Sequence, residues 1–416
     1  MLQIPRVRRS RHAQTTLLTP RFMAVALAAL AYFTGDGILI AALPRYVVGP
    51  LGAGNVAVGV VVGAFSVSAF FLRPWAGGFG DRHGRRPLML AGAGLFSASV
   101  LGYGLAADPA TLVALRLVTG AGEALFFVGA LAAFTDLAPP ERRGEAMSLA
   151  SLSLYVGIGV GPLVGELTID RFGFTAAWLA AAGAGIIALA LVLRVRETRP
   201  EVLAGDAAEP RRHRLVHPAG LVPGMVLLAS ILGMAGFLAF VPLHALDLGM
   251  SGSRHVLLVF ATVVVVIRSA GARIPDRLGA ARATRIALAL SATGLALIGT
   301  WQTPTGLMVG AVVLGVGVAL LTPSVFSLAV ERVSPQERGS VIGTTSAFLD
   351  LALGVGPATL GLVGAALGRP GTFLAGAAVA ALGLVFVVIG RVGRAPVPAP
   401  GPGRDGATAT PAVDTP

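Results

Sequence analysis

The chain has 416 residues, 55% of them hydrophobic and 12% charged, with a mean hydropathy of +0.81, a balance typical of membrane proteins and not of soluble domains. Its formal net charge is +12, yet the basic residues gather between apolar runs without interleaved aromatics, which argues against a nucleic-acid partner. There is no Cys, and the six His are scattered without ligand spacing, so disulfides and thiolate metal sites are excluded and no metal or other cofactor is expected.

Crossing the hydrocarbon takes about 20 apolar residues per helix. Residues 1–21 form a basic arm carrying Arg6, Arg8, Arg9 and Arg11, and the apolar run from Phe22 to Leu43 that follows is too long for the core of a signal peptide. It is read as a retained first span. Further spans are predicted near 56–76, 87–106, 109–134, 145–167 and 174–193, completing a six-helix bundle over 22–193. A charged linker, 194–219, leads to a second six-helix bundle over 220–390, with spans near 220–243, 255–272, 283–302, 304–330, 340–365 and 370–390. Residues 391–416 are a Pro/Gly-rich tail expected to remain disordered. The runs are continuous rather than alternating, which excludes a β-barrel. The expected fold class is an all-α integral membrane protein of twelve transmembrane helices in two bundles.

Arg accumulates in loops left on the cytoplasmic side. The N-terminal arm, the turns holding Arg82, Arg85 and Arg86 and then Arg142 and Arg143, the linker, the turn from Arg273 to Arg285, the turn with Arg332 and Arg338, and the tail all fall on one face. The other face has only Arg45, Arg171, Arg254 and Arg369. Both termini are therefore expected in the cytoplasm, with the chain in the plasma (inner) membrane.

The two halves repeat at an offset of 195 residues. Asp81, Arg82 and Gly84 map onto Asp276, Arg277 and Gly279; Pro140, Arg143 and Gly144 map onto Pro335, Arg338 and Gly339; Gly159, Gly161 and Pro162 map onto Gly354, Gly356 and Pro357. The offset spans six helices, an even number, so the halves are parallel repeats related by an axis along the membrane normal.

Three stretches carry a family resemblance. "GGFGDRHGRRP" (Gly77 to Pro87) resembles the loop signature between spans two and three of the major facilitator superfamily, "RLVTGAGEA" (Arg116 to Ala124) its fourth-span motif, and "GIGVGPLVGE" (Gly157 to Glu166) the fifth-span motif of proton-coupled antiporters that export drugs and sugars. Glu166 stands where that last motif has Gly. The resemblance covers roughly residues 20–390 and implies alternating access by rocking of the two bundles. It also implies a latch: Asp81, partnered by Arg82 and Arg86, would lie against the positive N-terminal end of span eleven near Gly339 and close the cytoplasmic side. Gly77, Gly80, Gly84 and Arg85 complete that gating motif, and Asp276 with Arg277 is its weakened copy.

Ionisable residues inside a span are functional candidates because of their cost there. Asp36 lies eight residues before Pro44 and Arg116 seven after Pro109, so both sit about 10–12 Å below the same face and are natural partners. A carboxylate whose hydration changes as the cavity opens to each side in turn would load and release a proton. Glu123, about 21 Å down span four, and Asp350, in the middle of span eleven, are alternative proton sites. Glu166 is read as near enough to the outer end of its span to reach water, and Arg73 and Arg268, equivalent under the repeat, as snorkelling anchors. Gly157, Gly161 and Gly165 form a ridge for close helix packing, with Pro162 as a bend, and Gly356 and Pro357 repeat the arrangement. Tyr32, Phe126 and Phe127 are candidates to line a substrate cavity.

The reading is thus a secondary active transporter, with a small organic solute (drug-like or sugar) and protons as its partners and the lipid bilayer around a monomer. Proton-coupled efflux leads; a symporter or uniporter for uptake, and a non-transporting sensor on the same fold, are the alternatives. No nucleophile and base pair, phosphate loop or metal cluster points to an enzyme.

Overall fold

The computed structural model describes residues 16–139, 142–199, 216–270, 277–331, 333–334 and 337–389. Ten long helices run through them: α1 (Pro20–Val48), α2 (Asn55–His83), α3 (Arg85–Gly102), α4 (Pro109–Leu137), α5 (Arg143–Leu193), α6 (Pro218–Asp247), α7 (Arg254–Ala270), α8 (Ala280–Thr300), α9 (Pro304–Val330) and α10 (Arg338–Ile389). Nine of the helices in the described residues are long and apolar enough to cross a membrane. Two of those nine, α5 and α10, bend at Gly173 (φ 81°) and Gly368 (φ 73°) into two spans each, and the 17-residue α7 supplies the last. Those are the twelve expected spans. The two bends occupy equivalent positions of the repeat, and glycine serves there because a Cβ strains the backbone at such positive φ.

Helix starts follow from local chemistry. Thr19, Asp108 and Thr303 each precede a proline and accept a hydrogen bond from the backbone N–H three residues on, at 3.2, 2.9 and 3.1 Å. A polar cap followed by proline at the first helical position is the favoured opening.

The ridge in α5 packs inside its own bundle. A Cβ on Gly157 would lie 2.7 Å from Phe33 backbone and one on Gly161 2.5 Å from Gly37 Cα, with Gly165 against Ile38, so α1 and α5 touch backbone to backbone. Gly356 meets Leu232 of α6 in the same way. Between them, Gly159 faces the other half, where a Cβ would come within 2.6 Å of the Ala261 methyl of α7.

The two largest seams between the halves are α2 with α10 and α5 with α7, and both are tight toward the Arg-poor face. A Cβ on Gly59 or Gly63 would overlap the carbonyl oxygens of Pro357 and Gly354, and Asn55 donates to Gly364 O at 2.9 Å. At the opposite end of the same seam Gly77, Gly78 and Gly343 face open space. Among the described residues, the halves therefore meet closely on the Arg-poor face and are parted on the face that carries the linker.

Candidate functional site

The strongest constellation lies on the α2–α10 seam. Arg73 of α2 donates through Nη2 to both oxygens of Glu123 on α4, at 2.9 and 3.1 Å, while its Nη1 lies 2.5 Å from Asp350 Oδ1 on α10. Glu123 is 9% and Asp350 5% exposed. Phe127 covers the guanidinium at 4.8 Å. One cation thus holds a carboxylate of its own half and a carboxylate of the other. Burying three charges costs desolvation that their attraction barely repays, so the cluster is weak as a stabiliser and well suited to a contact that is made and broken. Sequence reasoning puts Arg73 at the membrane surface and treats Glu123 and Asp350 as alternatives. The structure overturns the first and unites the others, because no linear spacing tells which face of α2 turns toward α4 and α10.

A second cluster surrounds Asp36. The expected direct pair with Arg116 is not formed: Arg116, 3% exposed, donates from Nε to Val61 O at 3.3 Å and from Nη2 to Val62 O at 3.2 Å, and lies over the Phe65 ring at 4.7 Å. The reason is backbone approach. Gly120, one turn further along α4, is pressed against the Phe65 carbonyl, which brings the α2 carbonyls within reach of Arg116. Asp36 is half-buried with no hydrogen bond or ion pair to a described residue. Tyr32 and Phe126 stack on each other at 4.1 Å, 1% and 0% exposed, and are packed into the core.

At the Arg-poor end, Glu166 is fully buried and does not reach water. Its Oε1 accepts from Ser253 N and Ser253 Oγ, both at 2.7 Å, and its Oε2 from Arg254 N at 3.0 Å. A carboxylate of one half therefore caps α7 of the other, where unpaired N–H groups and the helix dipole favour negative charge. Asp170 strengthens the same seam by pairing with Arg45 at 3.2 Å and Arg254 at 3.1 Å. The signal available in the sequence was a Glu at the end of span five opposite the capping stretch "SGSR".

The sequence matches the family model described as Major Facilitator Superfamily over residues 25–304 and 276–413. The chain belongs to the major facilitator superfamily. It is 29% identical over 363 residues to the uncharacterized MFS-type transporter STM4428 of Salmonella typhimurium, covering 84% of this chain and 91% of that one. It is 25% identical over 377 residues to the uncharacterized MFS-type transporter YhhS of Escherichia coli, covering 89% and 92%. Among solved structures, a bacterial homolog of the human lysosomal transporter Spinster, inward-facing and occupied, superposes with a TM-score of 0.73 at 15% identity, over 89% of this chain and 96% of that one. The human organic anion transporter MFSD10 superposes with 0.65 at 21% identity, over 89% and 100%. These likenesses show the fold. The protein is a multi-pass membrane transporter of that superfamily.

The superfamily loop signature is present with partners other than those expected. Asp81 is exposed and pairs with Arg85 Nη1 at 2.7 Å, and Arg85 Nε reaches Asp136 of α4 at 3.1 Å. Arg86 instead donates to Leu193 O at 2.9 Å, and the Arg82 side chain is exposed. The turn at Gly84 (φ 105°) reverses the chain and folds Arg85 back over Asp81. Gly80 packs under Leu88, whereas Gly77 is open. Glu197, just beyond α5, accepts from Arg85 N at 2.8 Å and Arg86 N at 3.2 Å, capping α3. Burial opposes its ionisation, but N–H donors from Arg199, Arg85, Arg86 and Thr198 outweigh it and hold the carboxyl below its ordinary value. Of the copied motif, Asp276 lies outside the described residues, and Arg277 is exposed.

Proposed function

We propose that this transporter couples proton entry to export of a small organic solute, with Glu123 and Asp350 sharing Arg73 as the coupling element. The observation that carries the reading is the single guanidinium held by carboxylates from both halves. When a proton neutralises Asp350, Arg73 retains Glu123 and the tie between halves is released, so the protonated carrier crosses; in the deprotonated carrier the tie holds the halves until bound solute supplies contacts that offset it. Solute and proton then alternate through one conformational cycle. With the Arg-rich face taken as cytoplasmic by the positive-inside rule, the described conformation is open to the cytoplasm, as an exporter awaiting solute would be. The reading includes a monomer in the inner membrane with both termini, the linker and the tail in the cytoplasm. Export rather than uptake is supported by the fifth-span motif. Uptake by symport is the second reading, favoured by Glu166 in place of that motif's glycine.

The test is reconstitution in liposomes with an internal pH-sensitive dye under an imposed proton gradient. Candidate solutes should provoke proton movement in the wild type that Asp350→Asn and Glu123→Gln abolish. Solute flux without proton movement would refute coupling. Full coupling in both variants, lost instead in Asp36→Asn, would move the proton site to the second cluster.

A further inference from the structure

The offset of 195 relates more than motifs. Arg73 maps onto Arg268, Asp350 onto Tyr155 and Glu123 onto Val318. The three side chains of the charged cluster therefore have a counterpart on the other seam, α5 with α7 and α9, in which the cation is kept and both carboxylates are replaced. The geometry follows the repeat: Arg268 Nη2 lies 3.3 Å from Tyr155 Oη, and its guanidinium sits over the Tyr155 ring at 4.8 Å. Among the described residues no carboxylate pairs with it, and its Nε is buried without a partner. Of its five N–H donors, one has a hydrogen-bond partner among the described residues.

That cation borders a cavity of about 200 Å³ between the halves, next to apolar Leu152, Val265 and Leu320 and the hydroxyls of Ser151 and Ser269. Neither hydroxyl makes a hydrogen bond to a described residue. The cavity borders Ser148, little more than one turn from the start of α5, so it lies toward the end at which the halves are parted. Among the described residues, this guanidinium at the wall of an apolar cavity lacks the carboxylates that Arg73 has.

We infer that Arg268 receives the anionic group of the transported solute, whose apolar body fills the cavity, so that the substrate class is a small amphipathic organic anion, a carboxylate in the first instance. Arg268 donates to the carboxylate, Ser151 or Ser269 supplies a further donor, and Tyr155 holds the guanidinium in place. The space of about 200 Å³ beside Arg268 accommodates a ring-sized apolar body. The inference rests on the transport reading for its meaning but is tested by binding alone.

The experiment is equilibrium binding to purified full-length protein of three probes sharing one ring system: naphthalene-2-carboxylate, naphthalene-2-carboxamide and 2-naphthylmethylammonium. The carboxylate should bind about ten- to hundredfold tighter than the amide, and the ammonium weakest. Arg268→Ala should erase that preference while leaving amide binding in place, which also shows that the variant is folded. Tyr155→Asp restores the carboxylate found at Asp350 and should erase the preference with Arg268 intact. Equal binding of carboxylate and amide by the wild type, or an undiminished preference in both variants, overturns the assignment. Binding requires neither transport nor proton movement. A carboxylate preference alongside uncoupled liposomes leaves this site standing and removes the coupling proposal; coupled liposomes without the preference do the reverse.

Discussion

Asp350→Asn probes the coupling element most directly. In the described conformation Asp350 binds Arg73 at 2.5 Å with side-chain exposures of 6% and 17%, so solvent screens the pair little. The variant leaves Arg73 with Glu123, so no unpaired charge is stranded in the first half, and what is lost is the tie to the second. A hydrogen bond to a charged group contributes about 1.5–3 kcal/mol, which is about ten- to hundredfold in the balance between the two openings. The tie exists with the Arg-poor face closed, so losing it should populate the form open on that face. The chain has no Cys, so Leu105→Cys with Leu367→Cys, exposed positions 85% and 72% accessible in the turn just after α3 and at the end of the first arm of α10, accepts a spin-label pair for distance measurement by double electron–electron resonance. Longer distances are expected in Asp350→Asn at neutral pH. Acidification should move the wild type the same way and leave the variant unchanged. Identical distance distributions in wild type and variant would refute the idea that Asp350 ties the halves.

Glu166→Gln should weaken the cap on α7 and raise the rate at which a thiol introduced by Val256→Cys, a fully buried position, reacts with a membrane-impermeant maleimide, by about tenfold or more if the charged acceptor is worth its usual amount; an unchanged rate would mean the cap does not hold the seam. Gly63→Ala places a methyl against the Gly354 carbonyl and should cost about 1–3 kcal/mol of closure, read as the same lengthening between the spin labels. For Glu197 the folded carboxyl is held below its ordinary value of 4.5, so its contribution to stability is full above that value and disappears as pH falls through the lowered one. The melting temperature of Glu197→Gln should therefore fall below that of the wild type at neutral pH and converge with it in acid; a constant gap would show that the carboxylate charge is not what caps α3.

Hydrophobic length, the Arg asymmetry and the repeat were all written locally in the chain, which is why spans, bundles and parallel halves were legible without coordinates. Both span-joining bends, Gly173 and Gly368, which the structure revealed, fall at equivalent positions of that repeat. The three carboxylates Asp36, Glu123 and Asp350 were legible as expensive residues within spans. Their partners were not. A helix of this composition is apolar all round, so sequence does not say which face meets which neighbour, and depth along the axis alone made Asp36 and Arg116 look like a pair. Only tertiary packing decided otherwise, since Gly120 lets α4 press against α2 and gives Arg116 backbone carbonyls. The same close approach of α2, α4 and α10 turned Arg73 inward to two carboxylates, while its repeat partner Arg268 met a tyrosine and a cavity.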